Sequence, residues 1–402
     1  MRTYERTHPW LRFELDLRRA TPGLWLLLGE AQSKCEHIAG VPLRPDTALR
    51  LHQVFLAKGA QATTAIEGNT LSEGEVLKLV EKRLELPKSR EYLGQEVQNI
   101  IDSCNEIAAG LDRSSGELSV ERVLSFNRAV LDKLPLEPHV VPGRIRDYSV
   151  GVGRYPGAPH ENCAFLLDRM CGWLNEAPFL AAQENAIAFA LLRAVIAHLY
   201  LAWIHPFGDG NGRTARLIEF YVLLCAGVPS PAAHLLSNHY NLTRSEYYRQ
   251  LQAASDSGGD ILPFVSYAIQ GFADGLRGQL EEIRAQQWDV AWRNFVDEAF
   301  RDEKTGAPTR QRDLLLDLSS ASDLVPISEI PTLTPRLRKA YAGKGSKTVT
   351  RDVNALIARG LIDRVGAKVH ARRETILAFL PPRKSIESEP SSNRDVAPNP
   401  AR

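Results

Sequence analysis

The run Ile204-His-Pro-Phe-Gly-Asp-Gly-Asn-Gly-Arg-Thr-Ala-Arg216 decides how this 402-residue chain is read. Gly210-Asn211-Gly212 stands immediately before a helical pattern. Backbone N–H groups in such a turn, with a helix N-terminus behind them, form a cradle for an anion. Glycine lets a phosphate come close to the backbone. Arg213 and Arg216 are three apart, so they share a helix face. Two guanidinium forks there suit a polyphosphate. Asp209 offers oxygen to Mg²⁺ (or Mn²⁺), an ion that takes one or two carboxylates plus phosphate oxygens and water. A histidine at position 205 can accept a proton from an attacking hydroxyl. Phe207 is expected to pack inward and stiffen the loop. Taken singly, each residue also fits a glycine-rich connection with solvated arginines. Base, metal ligand, cradle and two cations within twelve residues point instead to a phosphate-handling site.

Outward from this run the pattern is helical. Apolar residues recur at three and four spacings in Leu77, Val80, Leu84 and in Val97, Ile100, Ile101, predicting helices between about Gly23 and Ala109. Leu118 to Leu134 is amphipathic and ends at the breakers Pro135, Pro138, Pro142 and Gly143. Helical patterns return over 163–174, 184–202, 214–225, 244–254 and 288–304. Asp147 to Tyr155 alternates and runs into Pro156-Gly157-Ala158-Pro159, which predicts a strand or hairpin. Ala186 to Ile204 is the most apolar stretch. Arg193 and His198 at its middle make a buried core helix the expected reading, and no membrane association is expected. The fold class expected is mainly α with one small hairpin.

Composition narrows the classes. A net charge of +1, from 49 basic and 48 acidic residues, excludes a uniformly basic nucleic-acid coat. Apolar and charged shares of 44% and 24% are those of an ordinary globular protein and exclude collagen-like and wholly disordered chains. The five cysteines are odd in number and show no C-x-x-C pair, which argues against zinc ribbons and a secreted disulfide framework. The first residues hold no apolar h-region, so no signal peptide is expected and the protein reads as cytoplasmic.

His205-Pro-Phe207-Gly-Asp209-Gly-Asn-Gly-Arg213-x-x-Arg216 resembles, at every fixed position, the motif H-x-F-x-(D/E)-G-N-G-R-x-x-R of the Fic family. Ala197-His198 before it and Tyr247-Tyr248-x-x-Leu251 after it extend the resemblance to about residues 40–275. The resemblance implies a protein adenylyltransferase. A Ser, Thr or Tyr hydroxyl of a target protein attacks the α-phosphate of ATP, AMP stays on the target, and pyrophosphate leaves. It implies His205 as base, Asp209 as metal holder, and Gly210, Asn211 and Gly212 as anion hole. Arg213 and Arg216 would hold the β- and γ-phosphates, and Tyr247 and Tyr248 would lie near the adenine. Val152, Gly153, Arg154 and Tyr155 would belong to a flap that holds the target segment by strand addition. Ser255 stands where some relatives have Asn. Transfer of UMP, phosphocholine or phosphate by relatives leaves the donor open.

Thr63-Thr-Ala-Ile-Glu67-Gly-Asn69 carries a second resemblance. By spacing alone, Thr63 and Glu67 share a helix face, Gly68 suits a C-cap, and a solvated glutamate would be unremarkable. The segment is similar to the family's inhibitory pattern (S/T)-x-x-x-E-(G/N). That resemblance implies that Glu67 pairs with Arg216 and withholds it from the γ-phosphate. It also leaves room for removal of AMP with the same glutamate placing a water.

Between Arg336 and Arg373 there are eleven basic and two acidic residues, so this window is +9 while the rest of the chain is −8. Ser346 is expected to cap a helix from Lys347 to Arg359 with Val349, Val353, Leu356 and Ile357 on one face. Two strands, Leu361–Val365 and Thr375–Leu380, are expected to follow around Gly366. Helix, helix and hairpin resemble a winged helix that binds DNA through Lys347–Arg359, or a protein-docking module with a solvated basic face. Gly343-Lys-Gly-Ser-Lys-Thr348 lacks the glycine spacing of a P-loop and reads as the turn before that helix. The expected organisation is an N-terminal helical region (1–110) with the inhibitory helix at about 60–69, a Fic core (111–275), a helical linker (276–307), a winged-helix-like domain (308–382) and a disordered tail (383–402). A DNA-binding regulator whose core senses nucleotide is the second function reading, and a homodimer is a further expectation.

Overall fold

The apolar run Ala186–Ile204 becomes the axis around which a computed structural model of the chain is built. The structure describes residues 2–43, 45–111, 116–152, 155–176, 178–179, 185–303, 306–321 and 323–376. Gly153, Arg154 and the expected tail fall outside the described residues. Two units divide the chain, Met1–Ile283 and Arg284–Arg402. The division falls within the stretch read as a helical linker.

In the first unit the helices are α1 (Thr3–Thr7), α2 (Pro22–Ala39), α3 (Pro45–Ile66), α4 (Glu73–Val80), α5 (Glu91–Ala109) and α6 (Val120–Val130). After a hairpin of β1 (Gly151–Val152) and β2 (Tyr155–Pro156) come α7 (His160–Leu174), α8 (Ala186–Ile204), α9 (Asn211–Cys225), α10 (Ser230–Ala233), α11 (Leu235–Leu242) and α12 (Arg244–Asp256). α13 (Leu262–Ala299) begins in this unit and ends in the next.

α8 is long and apolar enough to cross a membrane by length and composition, yet 89% of it is buried within the protein. A helix apolar on every side is a core helix when neighbours surround it, and α2, α7 and α9 do so. α9 lies along α8 and is itself buried on nearly every face. The charged residues Arg213, Arg216 and Glu219 are therefore carried into the interior by a helix that is otherwise mostly apolar. α3, which bears the Thr63 segment, packs on α5, α9 and α11.

In the second unit, α14 (Ala307–Leu318), β3 (Val325–Pro326), α15 (Pro335–Ala340), α16 (Ser346–Ala358), β4 (Ile362–Val365) and β5 (Lys368–Ala371) follow in order. The antiparallel sheet runs β3-β5-β4, with Val325 opposite Val369 and Ile362 opposite Ala371. Leu314, Val353, Leu356 and Val369 centre its core. Asp352 is fully buried there and is held by Arg310, Gln311 and Tyr341.

Two expectations are corrected here. The second strand of the hairpin is Lys368–Ala371, because Val365 pairs with Lys368 across a tight turn holding Gly366. Thr375 and Ile376 lie in a 3₁₀ turn, and 377–380 fall outside the described residues. Ser346 is the first residue of α16 and makes no cap, since Gly345 occupies the N-cap position.

Candidate active site

α8 ends on the histidine of the glycine-rich loop. His205 is its C-cap, with φ 49° and ψ 57° in the left-handed region, which costs a non-glycine residue about 1–2 kcal/mol. Surrounding hydrogen bonds hold it there. The His205 amide donates to the Leu201 carbonyl at 2.8 Å. Arg146, buried, donates through Nε to the His205 carbonyl at 2.7 Å and through its backbone to Pro206 at 2.9 Å. Its other nitrogens reach the carbonyls of Tyr148 and Ala158, so one side chain staples the loop to the hairpin. Asn127 donates to the Asp209 carbonyl at 3.0 Å. Neither Arg146 nor Asn127 carries a local sequence signal, because their partners are 59 and 82 residues away.

Phe207 packs inward as expected, at 1% exposure. The Asn211 side chain does not face the cradle. It accepts from the Phe207 amide at 3.0 Å and donates to the Phe207 carbonyl at 2.9 Å, closing the loop on itself. Its backbone, with that of Gly212 and Arg213, begins α9 behind the N-cap Gly210. First-turn amides of a helix have no partner within the helix.

Nδ1 of His205 lies 3.4 Å from the Ala202 carbonyl. A carbonyl only accepts, so the ring proton sits on Nδ1 and Nε2 is left as the acceptor. Burial lowers the His205 pKa to about 4; the Ala202 contact opposes the shift, Arg146 adds to it, and Glu67 and Asp209 oppose it. The imidazole is therefore neutral at physiological pH and able to take a proton.

The two arginines are both occupied by carboxylates. Arg216, whose side chain is 1% exposed, donates through Nη2 to Glu67 at 2.5 Å and to the Thr63 carbonyl at 3.0 Å. Thr63 thus contributes its backbone to this contact. Glu67 lies just past the end of α3, in the turn that Gly68 completes at φ 103°. Desolvation alone would raise its pKa, but the charge and hydrogen bond of Arg216, with Arg213 and His205, hold it below the ordinary value. Arg213 donates to Glu96 at 2.8 Å and to Asp209 at 3.0 Å. Glu96 accepts in turn from Asn69 at 2.8 Å, tying the turn after Glu67 to the same arginine. Sequence reasoning missed Glu96, which looks like any solvated helix glutamate.

The position of Gly212 explains its residue type. A Cβ there would run into the Glu67 carboxylate and crowd Nη1 of Arg216. The carboxylate therefore stands in the cradle at the start of α9. Nε and Nη1 of Arg216 and Nε of Arg213 are buried without a partner among the described residues. Buried guanidinium donors left unused are costly, and an anion with more oxygens than a carboxylate would satisfy them.

A cavity of about 450 Å³ opens beside this cluster, lined by Glu67, His205, Asn211, Gly212, Tyr155, Tyr247 and Tyr248 among others. Asp209, Gly210, Arg213 and Arg216 do not line it; Arg216 meets it through Glu67. Tyr247 is buried, whereas Tyr248 is 40% exposed. The buried Ser255 spends its hydroxyl on the Gln252 carbonyl at 2.8 Å. From the hairpin, Tyr155 donates to the Trp203 carbonyl at 3.0 Å and accepts from Trp10 at 3.2 Å. Val152 lies in β1, paired with Tyr155.

No cluster of three potential metal ligands occurs among the described residues. Asp209 nevertheless fits the Mg²⁺ expectation. Its side chain is 48% exposed, and both of its hydrogen bonds fall on Oδ1, leaving Oδ2 open. One carboxylate is sufficient when substrate phosphates supply the other ligands.

Ten of the eleven basic residues between Arg336 and Arg373 sort into two sets, and Arg364 donates to the Gly366 carbonyl. Arg336, Arg359, Arg372 and Arg373 form ion pairs with Asp317, Glu303, Asp363 and Asp289. Arg338, Lys339, Lys344, Lys347, Arg351 and Lys368 are exposed. On α16 the exposed residues Lys347, Thr350, Arg351 and Asn354 recur at helical spacing on the side away from Val349, Val353 and Leu356.

Residues 117–223 match the family model described as Fic/DOC family. Protein adenylyltransferase fic-1 of Caenorhabditis elegans is 34% identical over 214 residues, covering 52% of this chain and 38% of that protein. Protein adenylyltransferase Fic of Nematostella vectensis is 30% identical over 210 residues, covering 52% and 45%. The chain thus spans less than half the length of these curated relatives. Among solved structures, a segment of Fic-1 from C. elegans superposes with a TM-score of 0.54 at 26% identity, covering 65% of this chain and 73% of that one. A Fic family protein from Desulfovibrio desulfuricans shares the fold with a TM-score of 0.54 at 19% identity, covering 87% and 96%. Residues 117–223, set in a mainly helical fold, are thus the part of this chain that matches the Fic/DOC family.

Proposed function

We propose that the chain transfers AMP from ATP to a Ser, Thr or Tyr hydroxyl of a target protein, and that Glu67 restrains the transfer. One observation carries the reading: a neutral imidazole and a helix-start cradle meet at one cavity, a carboxylate of the chain itself fills the cradle, and a buried arginine with unused donors stands behind that carboxylate. The names of the curated relatives support the same reaction. In the reaction the hydroxyl oxygen bonds to the α-phosphorus, and its proton passes to Nε2 of His205. The bond from the α-phosphorus to the bridging oxygen breaks, and pyrophosphate leaves. Arg213 and Arg216 neutralise the triphosphate once their carboxylates withdraw, and the first amides of α9 donate to phosphate oxygens. Asp209 would hold Mg²⁺, which supplies charge neutralisation of the phosphates when bound. Tyr247 and Tyr248 wall the base.

The test is transfer of α-labelled AMP from ATP by purified protein. His205→Ala is expected to lower the rate by about 10²–10⁴-fold, the contribution of a positioned base. An unchanged rate in that variant rejects the reading.

The second unit is read as a winged-helix-like module that docks on duplex DNA. The exposed cations Lys347 and Arg351 and the polar Thr350 and Asn354 on α16 support this. Fluorescence anisotropy with a labelled duplex tests it. Affinity should fall between 50 and 200 mM salt with a log–log slope of about −0.9 per phosphate contact. Salt-independent binding, or none, removes DNA from the account.

A further inference from the structure

Among the described residues, a fully buried histidine takes no part in the chemistry described so far. His198, in the middle of α8, is 0% exposed. A histidine in an apolar helix interior is expensive unless its nitrogens are used. Its Nε2 lies 2.8 Å from the Tyr247 hydroxyl. Its Nδ1 lies 3.1 Å from Oε1 of Glu219, off the straight N–H axis. Glu219 is also buried, one turn beyond Arg216 on α9, and accepts from the Tyr240 hydroxyl at 2.9 Å. A carboxylate can only accept, so the ring proton faces Glu219 and Nε2 is left to accept from Tyr247. The Tyr247 proton therefore points into the core, away from the cavity.

The same ring is held on its other sides. Tyr240 stacks on Tyr247 with centroids 4.8 Å apart and planes 29° apart. His198 meets it edge-on at 5.7 Å. Tyr248, its neighbour in sequence, has no such anchor: it is 40% exposed, with Arg244 5.7 Å from its ring. Of these two tyrosines lining the cavity, Tyr247 is the fixed wall and Tyr248 the adjustable one.

We propose that His198 is a positioning residue of the donor site: with Glu219 it locks the Tyr247 hydroxyl inward and so presents the ring as a rigid wall for the planar base of the donor nucleotide. His198 touches no reacting atom in this scheme. Its effect should be seen in nucleotide affinity, with little change in the chemical step. This inference rests on the AMP-transfer reading for its kinetic measurement only; its binding measurement stands apart.

The test uses the full chain carrying Glu67→Gly, with binding of N-methylanthraniloyl-ATP read by fluorescence and AMP transfer read in parallel. His198→Phe removes the acceptor and strands a buried hydroxyl; KM and Kd for the nucleotide should rise about tenfold, with kcat within about threefold. His198→Gln keeps an acceptor oxygen and should stay within about threefold of the parent. Tyr247→Phe added to His198→Phe should recover part of the loss, because the stranded hydroxyl is gone. An unchanged Kd in His198→Phe overturns the proposal, as does a fall in kcat at constant KM. Full additivity of the two substitutions also overturns it. If His198→Phe does not fold, Tyr247→Phe alone decides: a Kd raised about threefold supports the relay, and an unchanged Kd refutes it. A parent that binds the analogue but transfers no AMP refutes the reaction reading and leaves the binding ratios to judge His198.

Discussion

Replacing Glu67 by glycine should open the cradle at the start of α9 to a triphosphate, and the size of the effect can be worked from the contacts. The Glu67–Arg216 hydrogen bond is charge-assisted and 2.5 Å long. Such bonds contribute about 1.5–3 kcal/mol. The Glu67 side chain is 33% exposed, so solvent screening puts this one near the low end, about 1.5 kcal/mol. Its carboxylate also stands at the N-terminus of α9, which adds about 0.5 kcal/mol. Together the two terms hold the cradle closed by about 2 kcal/mol, so roughly one molecule in thirty is open to a triphosphate. Glu67→Gly should therefore raise labelling of the protein by α-labelled ATP roughly thirtyfold at subsaturating nucleotide. Glu67→Gln keeps an acceptor but loses the charge and should fall between. A thermal scan of both variants confirms that the fold is intact. Equal labelling of wild type and Glu67→Gly would refute the argument, because it would mean that the ion pair does not compete with the phosphates.

Four other outcomes follow from the structure. Because the His205 pKa is lowered to about 4, its neutral form prevails above that pH and is lost below it; the acid limb of kcat/KM should lie near 4, and a limb near the ordinary imidazole value of about 6.5 would contradict the burial argument. The Glu67 pKa is also depressed, so the restraint is present above it and is lost only as pH falls through it; acidification to about pH 5 should not mimic Glu67→Gly, and a burst of labelling there would count against the ion pair. Gly212→Ala in the Glu67→Gly background should still weaken nucleotide binding by about tenfold to a hundredfold, the effect of an extra methyl in a filled space; binding unchanged in isothermal titration would show that phosphate does not approach this backbone. Asp352→Ala leaves Arg310, 11% exposed, without its carboxylate and should cost the second unit about 3–5 kcal/mol; an unshifted calorimetric transition would refute that role.

Much of the active site is short-range in sequence and could be read there. Twelve consecutive residues set a turn, a helix start and two arginines on one face, and those relations are dictated by helix geometry and by glycine. The apolar periodicity likewise determined that α8 and its neighbours are helices. What decides the state of the site lies far apart along the chain. Glu67 and Arg216 are separated by 149 residues, Glu96 and Arg213 by 117, and Arg146 and His205 by 59. The Glu67 pairing was expected only through family resemblance. Glu96, Arg146, Asn127 and the contacts that join His198 to Glu219 and Tyr247 carried no signal, since a charged or polar residue on a helix is locally indistinguishable from a solvated one. The hairpin strand at Lys368–Ala371 was misplaced for a related reason: two short alternating runs compete, and pairing with β3 and β4 selects between them. Spacing along the backbone specifies which groups can share a face. Only helix packing specifies which faces meet, and burial then gives a carboxylate or an imidazole its partner, its charge and its task.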